Sequence, residues 1–179
     1  MVAKLKEAYD LEVDLRPFYL MWDVPLEGMD LPDYIQQARA GGSEERLKQI
    51  AENNGLKFVS TKRIYNTTRA HEATEYARDQ GKASEFHKVV FRKVYVEGED
   101  ISDWDVLRSV AQEVGLDADE MKHEVDEGRY TDNVAEQVRQ AYGIGVNGVP
   151  TYVINGRYAI VGAQPYDVFE RVLAKILNG

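Results

Sequence analysis

Side chains able to do acid–base, nucleophilic or metal chemistry are few in this sequence. Its 179 residues include three histidines, His71, His87 and His123, and no cysteine. Zero cysteine excludes disulfides, cysteine-ligated zinc, iron–sulfur clusters and any thiol nucleophile among these residues. His71 and Glu75 stand four apart in a helical pattern, as do His123 and Glu127, so each pair shares one helix face. That spacing suits two metal ligands, but a site normally needs at least three from the protein. The expectation for both pairs is therefore surface ion pairing. Asp117, Asp119, Glu120 and Glu124 lack the central glycine of a calcium loop and fall where a helix begins, which reads as a solvated helix face. No metal and no cofactor is expected.

No Gly-x-Ser-x-Gly elbow and no glycine-rich phosphate loop occurs, so serine-hydrolase and nucleotide-binding chemistry have no support. Gly143, Gly145 and Gly148 have roughly the spacing of a dinucleotide fingerprint, but they follow a helix and precede a strand, the reverse of the required order. Gly148-Val149-Pro150-Thr151 is more informative. A proline opening a strand after a glycine-rich approach can be cis, and Val149 could then offer its backbone to an extended ligand. A trans proline starting an edge strand explains the same residues and is the commoner case.

Composition narrows the partners. Lys plus Arg is 22 against 31 for Asp plus Glu, a net charge of −9. Nucleic acid and anionic membranes both call for a concentrated positive field, so neither is expected. No run approaches the roughly 18 apolar residues of a membrane span. Residues 1–10 alternate apolar and charged side chains rather than forming a secretory signal. A soluble, cytoplasmic, single-domain protein is the expectation.

The elements that would position any site follow from hydrophobic period and punctuation. Residues 1–10 read as a short helix, and Glu12–Leu20 alternates as a strand with Pro17 marking an edge or an irregular end. Leu31-Pro32-Asp33 is a helix entry. Ser43 caps a helix ending near Gly55, and Asn66 or Thr67 caps one ending at Gly81. Phe86, Val89, Val90 and Val94 form a buried stripe that stops near Gly98. Ser102 with Asp105 suggests a capping box for a helix that stops at Gly115. Asp117 opens another that stops at Gly128, and Thr131 opens the last of the run. Pro150–Ile154, Asn155-Gly156 and Arg157–Val161 form a hairpin, and Pro165–Leu177 an amphipathic helix.

Gly145-Val146-Asn147-Gly148-Val149-Pro150-Thr151-Tyr152-Val153-Ile154, followed by Tyr158-Ala159-Ile160-Val161-Gly162-Ala163-Gln164, resembles the C-terminal half of the DsbA-family thioredoxin fold, and within it the FrnE-like dithiol–disulfide oxidoreductase group. Arg16-Pro17-Phe18-Tyr19-Leu20 is similar to that group's second strand. Asn66-Thr67-Thr68-Arg69-Ala70-His71, Glu75-Tyr76-Ala77 and Gly81-Lys82-Ala83 are similar to its helical insertion, which Glu97–Asp103, Leu107 and Val114–Asp117 continue.

The resemblance implies an α/β thioredoxin-like fold. Its thioredoxin-like parts are residues 1–22 and 144–179, and its helical insertion covers about 30–143. It further implies a first strand and a Cys-x-x-Cys at the start of the first helix, where dipole and free amides lower a thiol pKa. This sequence begins inside that helix, so the expectation is a redox-inactive chain as given, with no catalytic residue to assign: either the motif lies on a longer product, the favoured explanation, or the chain is a natural cysteine-free relative.

What carries over is the substrate side: Pro150 as the family's cis-proline, Val149 presenting backbone to an extended peptide or thiol substrate, and Gln164, Trp22 and Asn66 nearby. Asn66 has an alternative role as a helix cap. A homodimer through the open sheet is a further expectation. The alternatives in function are a glutathione-dependent isomerase or transferase and a non-catalytic binding module. Gly162-Ala163-Gln164 departs from the acidic and basic pair those glutathione-dependent relatives would carry.

Overall fold

The computed structural model describes residues 2–53 and 55–178. Met1, Asn54 and Gly179 lie outside the described residues, and with Met1 the first position of the expected N-terminal helix. In chain order the elements are α1 (Val2–Ala8), β1 (Met29–Asp30), α2 (Asp33–Ala38), α3 (Glu44–Asn53), β2 (Arg63–Ile64), α4 (Thr68–Asp79) and α5 (Ala83–Arg92). They continue with α6 (Trp104–Glu113), α7 (Ala118–Asp126), α8 (Thr131–Gly143), β3 (Thr151–Ile154), β4 (Tyr158–Val161) and α9 (Tyr166–Asn178). Two compact units result, one from residues 1–20 and 137–179, the other from residues 21–136.

The larger unit is helical. Its core joins Ala73, Tyr76 and Ala77 of α4, Phe86 and Val90 of α5, Leu107, Val110 and Ala111 of α6, and Met121 and Val125 of α7. Alanines along α4 let its neighbours approach closely, and Phe86 fills the space they leave. α5 continues into a wider helical turn at Lys93–Glu97 and ends at Gly98, whose φ of 73° is the left-handed terminator. Asp117 caps α7, its Oδ1 accepting the amides of Asp119 at 3.0 Å and Glu120 at 2.9 Å. For α6 the cap is Asp103, which accepts the Asp105 amide at 2.8 Å. Ser102, the cap expected from sequence, instead bonds Asp100 with both its amide and its hydroxyl. Asp103 wins because it stands immediately before the first helical residue, with its side chain aimed at the second.

The smaller unit packs α1 and α9 on one face of the β3–β4 hairpin. Its core is Leu5, Ile160, Phe169 and Leu173, with Tyr152, Ile154, Tyr9 and Leu11 against it. Tyr152 meets Phe169 edge to face, ring centroids 4.8 Å apart. Asn155 and Gly156 make the tip with φ of 52° and 64°, as an Asn-Gly hairpin turn requires. The return strand starts at Tyr158, one residue later than expected.

The Glu12–Leu20 strand does not form. A strand exists only where another segment supplies its ladder, and among the described residues none pairs with it; the two sheets are β1–β2 and β3–β4 alone. Side chains hold the segment instead. Arg16 donates to Gln137 at 3.2 Å, Phe18 packs on Tyr142 at 4.9 Å, and the Tyr142 hydroxyl donates to the Tyr19 carbonyl at 2.8 Å. The β1–β2 pair was not foreseen, since two-residue strands carry no period.

The capping geometry gives a direct test. Asp117→Ala should lower stability by about 1 kcal/mol, read as a fall in the urea midpoint at unchanged slope. An unmoved midpoint would show that the cap bonds contribute nothing net.

Candidate functional site

The hairpin is where sequence and geometry converge. Gly162 donates its amide to the Pro150 carbonyl at 2.8 Å, which makes Pro150 and Gly162 a hydrogen-bonded pair. In an antiparallel ladder, bonded and non-bonded pairs alternate. Tyr152–Ile160 and Ile154–Tyr158 are therefore bonded pairs, and Thr151–Val161 and Val153–Ala159 are not. The backbone groups of Thr151 and Val153 consequently point away from β4, toward an edge of β3 that no other described strand covers.

Val149 continues this edge one step before the strand. It is 51% exposed, and its peptide bond to Pro150 is cis. The Thr151 hydroxyl donates to the Gly148 carbonyl at 2.7 Å and holds the approach to the strand. On the face opposite the α1–α9 core, alternate residues Val153 and Val161 join Ile144, Val146, Tyr158 and Arg157 around an open depression of about 220 Å³. Arg157 brings the one charge between Ile144 and Pro165.

The other expected site residues lie as follows. Gln164 folds back on the hairpin, its Nε2 donating to the Val161 carbonyl at 2.8 Å. It therefore belongs to the same unit as Val149 and Pro150. Trp22 and Asn66 belong to the helical unit. Trp22 is largely exposed. Asn66 uses both ends of its amide internally: Oδ1 accepts the Thr68 amide at 2.9 Å, and Nδ2 donates to the Val24 carbonyl at 2.6 Å. Sequence reasoning missed Thr151 and Val153, whose importance lies in backbone direction. Hairpin parity is the signal that could have found them.

The surface reading of the His71–Glu75 pair needs correction. Glu75 is buried and pairs with Arg78 at 3.1 Å, while Asn133 also donates to it at 3.1 Å. His71 is held to a pKa of about 4, first by burial and then by the charge of His87. At neutral pH it is an uncharged imidazole, and the Glu75 beside it in the helical pattern is buried rather than at the surface. Burial also lowers His87. Among the described residues, no group of three or more histidine, aspartate or glutamate side chains could hold a metal ion.

An edge strand beside a cis-proline, backed by two helices and accompanied by a helical unit, defines a class. Residues 1–174 match the DSBA-like thioredoxin domain, and the chain belongs to that family. The uncharacterised protein YwbO of Bacillus subtilis is 29% identical over 168 residues, covering 92% of this chain and 82% of its own. The crystal structure of a probable DsbA oxidoreductase from Streptomyces coelicolor superposes with a TM-score of 0.73 at 27% identity, over 80% of this chain. The chain spans 62% of that protein's length. A 2-hydroxychromene-2-carboxylate isomerase structure gives a TM-score of 0.77 at 19% identity, over 98% of this chain and 86% of its own. At that identity the likeness shows the fold alone. The fold is thioredoxin-like, with a helical insertion.

The His71 environment gives a pH test whose sign is fixed. Its folded pKa lies below its unfolded value of 6.5, so the folded state resists protonation. The stabilisation is complete above pH 6.5 and is lost as pH falls toward 4, up to about 3 kcal/mol. His87 adds in the same direction. His71→Gln should flatten that fall, as measured by urea unfolding at stepped pH. An unchanged slope would place the acid lability elsewhere.

Proposed function

We propose that the chain is a thiol–disulfide oxidoreductase-like protein of the FrnE-like group with no redox motif among these residues, and that it takes an extended peptide or thiol substrate along the Val149–Val153 edge. The observation that carries this reading is the exposed Val149, next to Pro150, at the start of a strand whose Thr151 and Val153 backbone groups face outward. An extended ligand pairs with such an edge through main-chain bonds, and alternate side chains supply preference. Val153 and Val161 around the depression favour apolar side chains at those positions. Family membership and the Streptomyces neighbour support thiol–disulfide exchange as the chemistry.

In that chemistry a thiolate attacks one sulfur of a disulfide, a mixed disulfide forms, and the displaced sulfur leaves as thiolate. None of these 179 residues can be that thiolate, because the sequence contains no cysteine. Its residues supply binding and orientation: the Val149 backbone aligns the substrate strand, Thr151 braces the approach, and Gln164 closes the far end of β4.

Two measurements separate binding from chemistry. The 179-residue chain should not accelerate insulin reduction by dithiothreitol, and turnover above the dithiothreitol background would overturn that part. Titration with an apolar, extended, thiol-containing peptide should shift the amide resonances of Val149, Thr151 and Val153. Shifts confined to the helical unit would move the site away from the hairpin.

A further inference from the structure

The β3 edge is self-complementary, and we propose that two copies of this chain pair through it, β3 against β3 in antiparallel register, to make a four-stranded sheet in the order β4–β3–β3–β4. This goes beyond the substrate reading and does not depend on it.

Register follows from the ladder already described. The outward-facing backbone groups belong to Thr151 and Val153, two residues apart. An antiparallel partner must offer bonded pairs at those same positions. A second copy does so when a two-fold axis passes through Tyr152. Thr151 of one copy then faces Val153 of the other and exchanges both its bonds, and Val153 faces Thr151 likewise. Residues of equal parity oppose each other, so the inward side chains of both copies stay on the α1–α9 side and Val153 stays on the outer side. A register shifted by one residue would bring inward-bonded groups to the edge and leave them unpaired.

Charge selects the same surface. The chain carries −9, so two copies repel across most approaches. Between Ile144 and Pro165 the only charged residue is Arg157. This is a neutral to slightly positive patch on an acidic molecule, where like-charge repulsion is least. Edges that stay single are usually guarded by lysine, by proline or by inward charge. Here Pro150 guards only the start of the strand, and Thr151–Ile154 carries no charge. Val149, Val153 and Val161 are each about half exposed, at 51%, 45% and 56%. Pairing would bring Val153 of each copy beside Thr151 of the other and extend one apolar outer face across the axis. The same two-fold operation makes the contact isologous and closed, so it yields dimers rather than fibres.

Sedimentation velocity of the 179-residue chain, from low to high micromolar concentration, tests the proposal. The expected result is a reversible monomer–dimer equilibrium. Val153→Lys places a charge on the exposed side of the pairing strand without touching the core, and should raise the dimer dissociation constant by at least about tenfold. Far-UV circular dichroism checks that the variant keeps its fold. A second readout uses the unmodified chain: amide exchange at Thr151 and Val153 should slow as concentration rises, while exchange in the helical unit does not. A chain that stays monomeric throughout, a dimer indifferent to Val153→Lys, or concentration-independent exchange at both amides would overturn the proposal. Failure of the peptide titration would leave these outcomes unaffected, because they are read without any peptide.

Discussion

The Gly162 amide on the Pro150 carbonyl sets the phase of the whole hairpin. Once that pair is bonded, the alternation of an antiparallel ladder fixes every later residue twice over. It decides which backbone groups turn toward β4 and which turn outward. Through the pleat it also decides which side chains reach the core. Tyr152, Ile154 and Ile160 go inward to Leu5, Phe169 and Leu173, while Thr151, Val153 and Val161 go outward. Slipping the register by one residue would exchange the two sets and put Tyr152 in solvent. The hydrophobic effect therefore enforces a register whose by-product is an exposed, uncharged edge. Burial of Phe169 against Tyr152 and the direction of the Val153 amide are consequences of one pairing.

The helical unit solves a different problem, that of burying acidic side chains in a chain rich in them. Glu72 and Glu75 are both buried, and burial pushes Glu72 above the usual carboxylate range. Each finds a donor at the start of α8: Thr131 Oγ1 reaches Glu72 at 2.7 Å and Asn133 Nδ2 reaches Glu75 at 3.1 Å. Tyr76 and Tyr130 extend the arrangement, donating to Glu120 at 2.8 Å and to Asp79 at 3.0 Å. Desolvation, reinforced by those carboxylates, drives both phenols well above their ordinary pKa. Glu75 and Glu120, two of the carboxylates weighed as metal ligands, are thus engaged in joining α4, α7 and α8. A buried carboxylate is costly unless its lone pairs are filled, and here hydroxyl, amide and guanidinium groups fill them.

What could be read in the sequence followed from how local each signal was. Helices α3 to α8 announce themselves through glycine stops and periodic apolar residues, all within one or two turns, and they fall close to where those signals put them. The Asn155-Gly156 turn is equally local. The cap of α6 was misplaced by one residue because Ser102 and Asp103 are both good caps, and only geometry shows that Asp100 takes Ser102. Glu12–Leu20 has the period of a strand but no described partner, and period alone cannot supply one. His71 fits a surface ion pair by spacing, yet burial decides its charge, and the neighbour that reinforces this, His87, lies sixteen residues away on another helix. Within the site, Val149 and Pro150 stood out because residue type is informative there. Thr151 and Val153 did not, because their contribution is the direction of backbone groups, which belongs to a pair of strands.

An edge that binds through its backbone has a property that side-chain sites lack. Its donors and acceptors do not titrate, so the docking proposed for this edge would not require a thiol. The same indifference makes the edge unselective between occupants. Each outward N–H and C=O forms its strong bond with one strand at a time, so a substrate strand along Val149–Val153 and a second copy along Thr151–Val153 exclude each other. Which occupant prevails is set by concentration and by what the outer face adds: apolar contact at Val153 and Val161, and the single positive charge at Arg157. If both proposals hold, self-pairing and substrate pairing would form one linked equilibrium, in which dimerisation would shield the edge until a better strand displaced it.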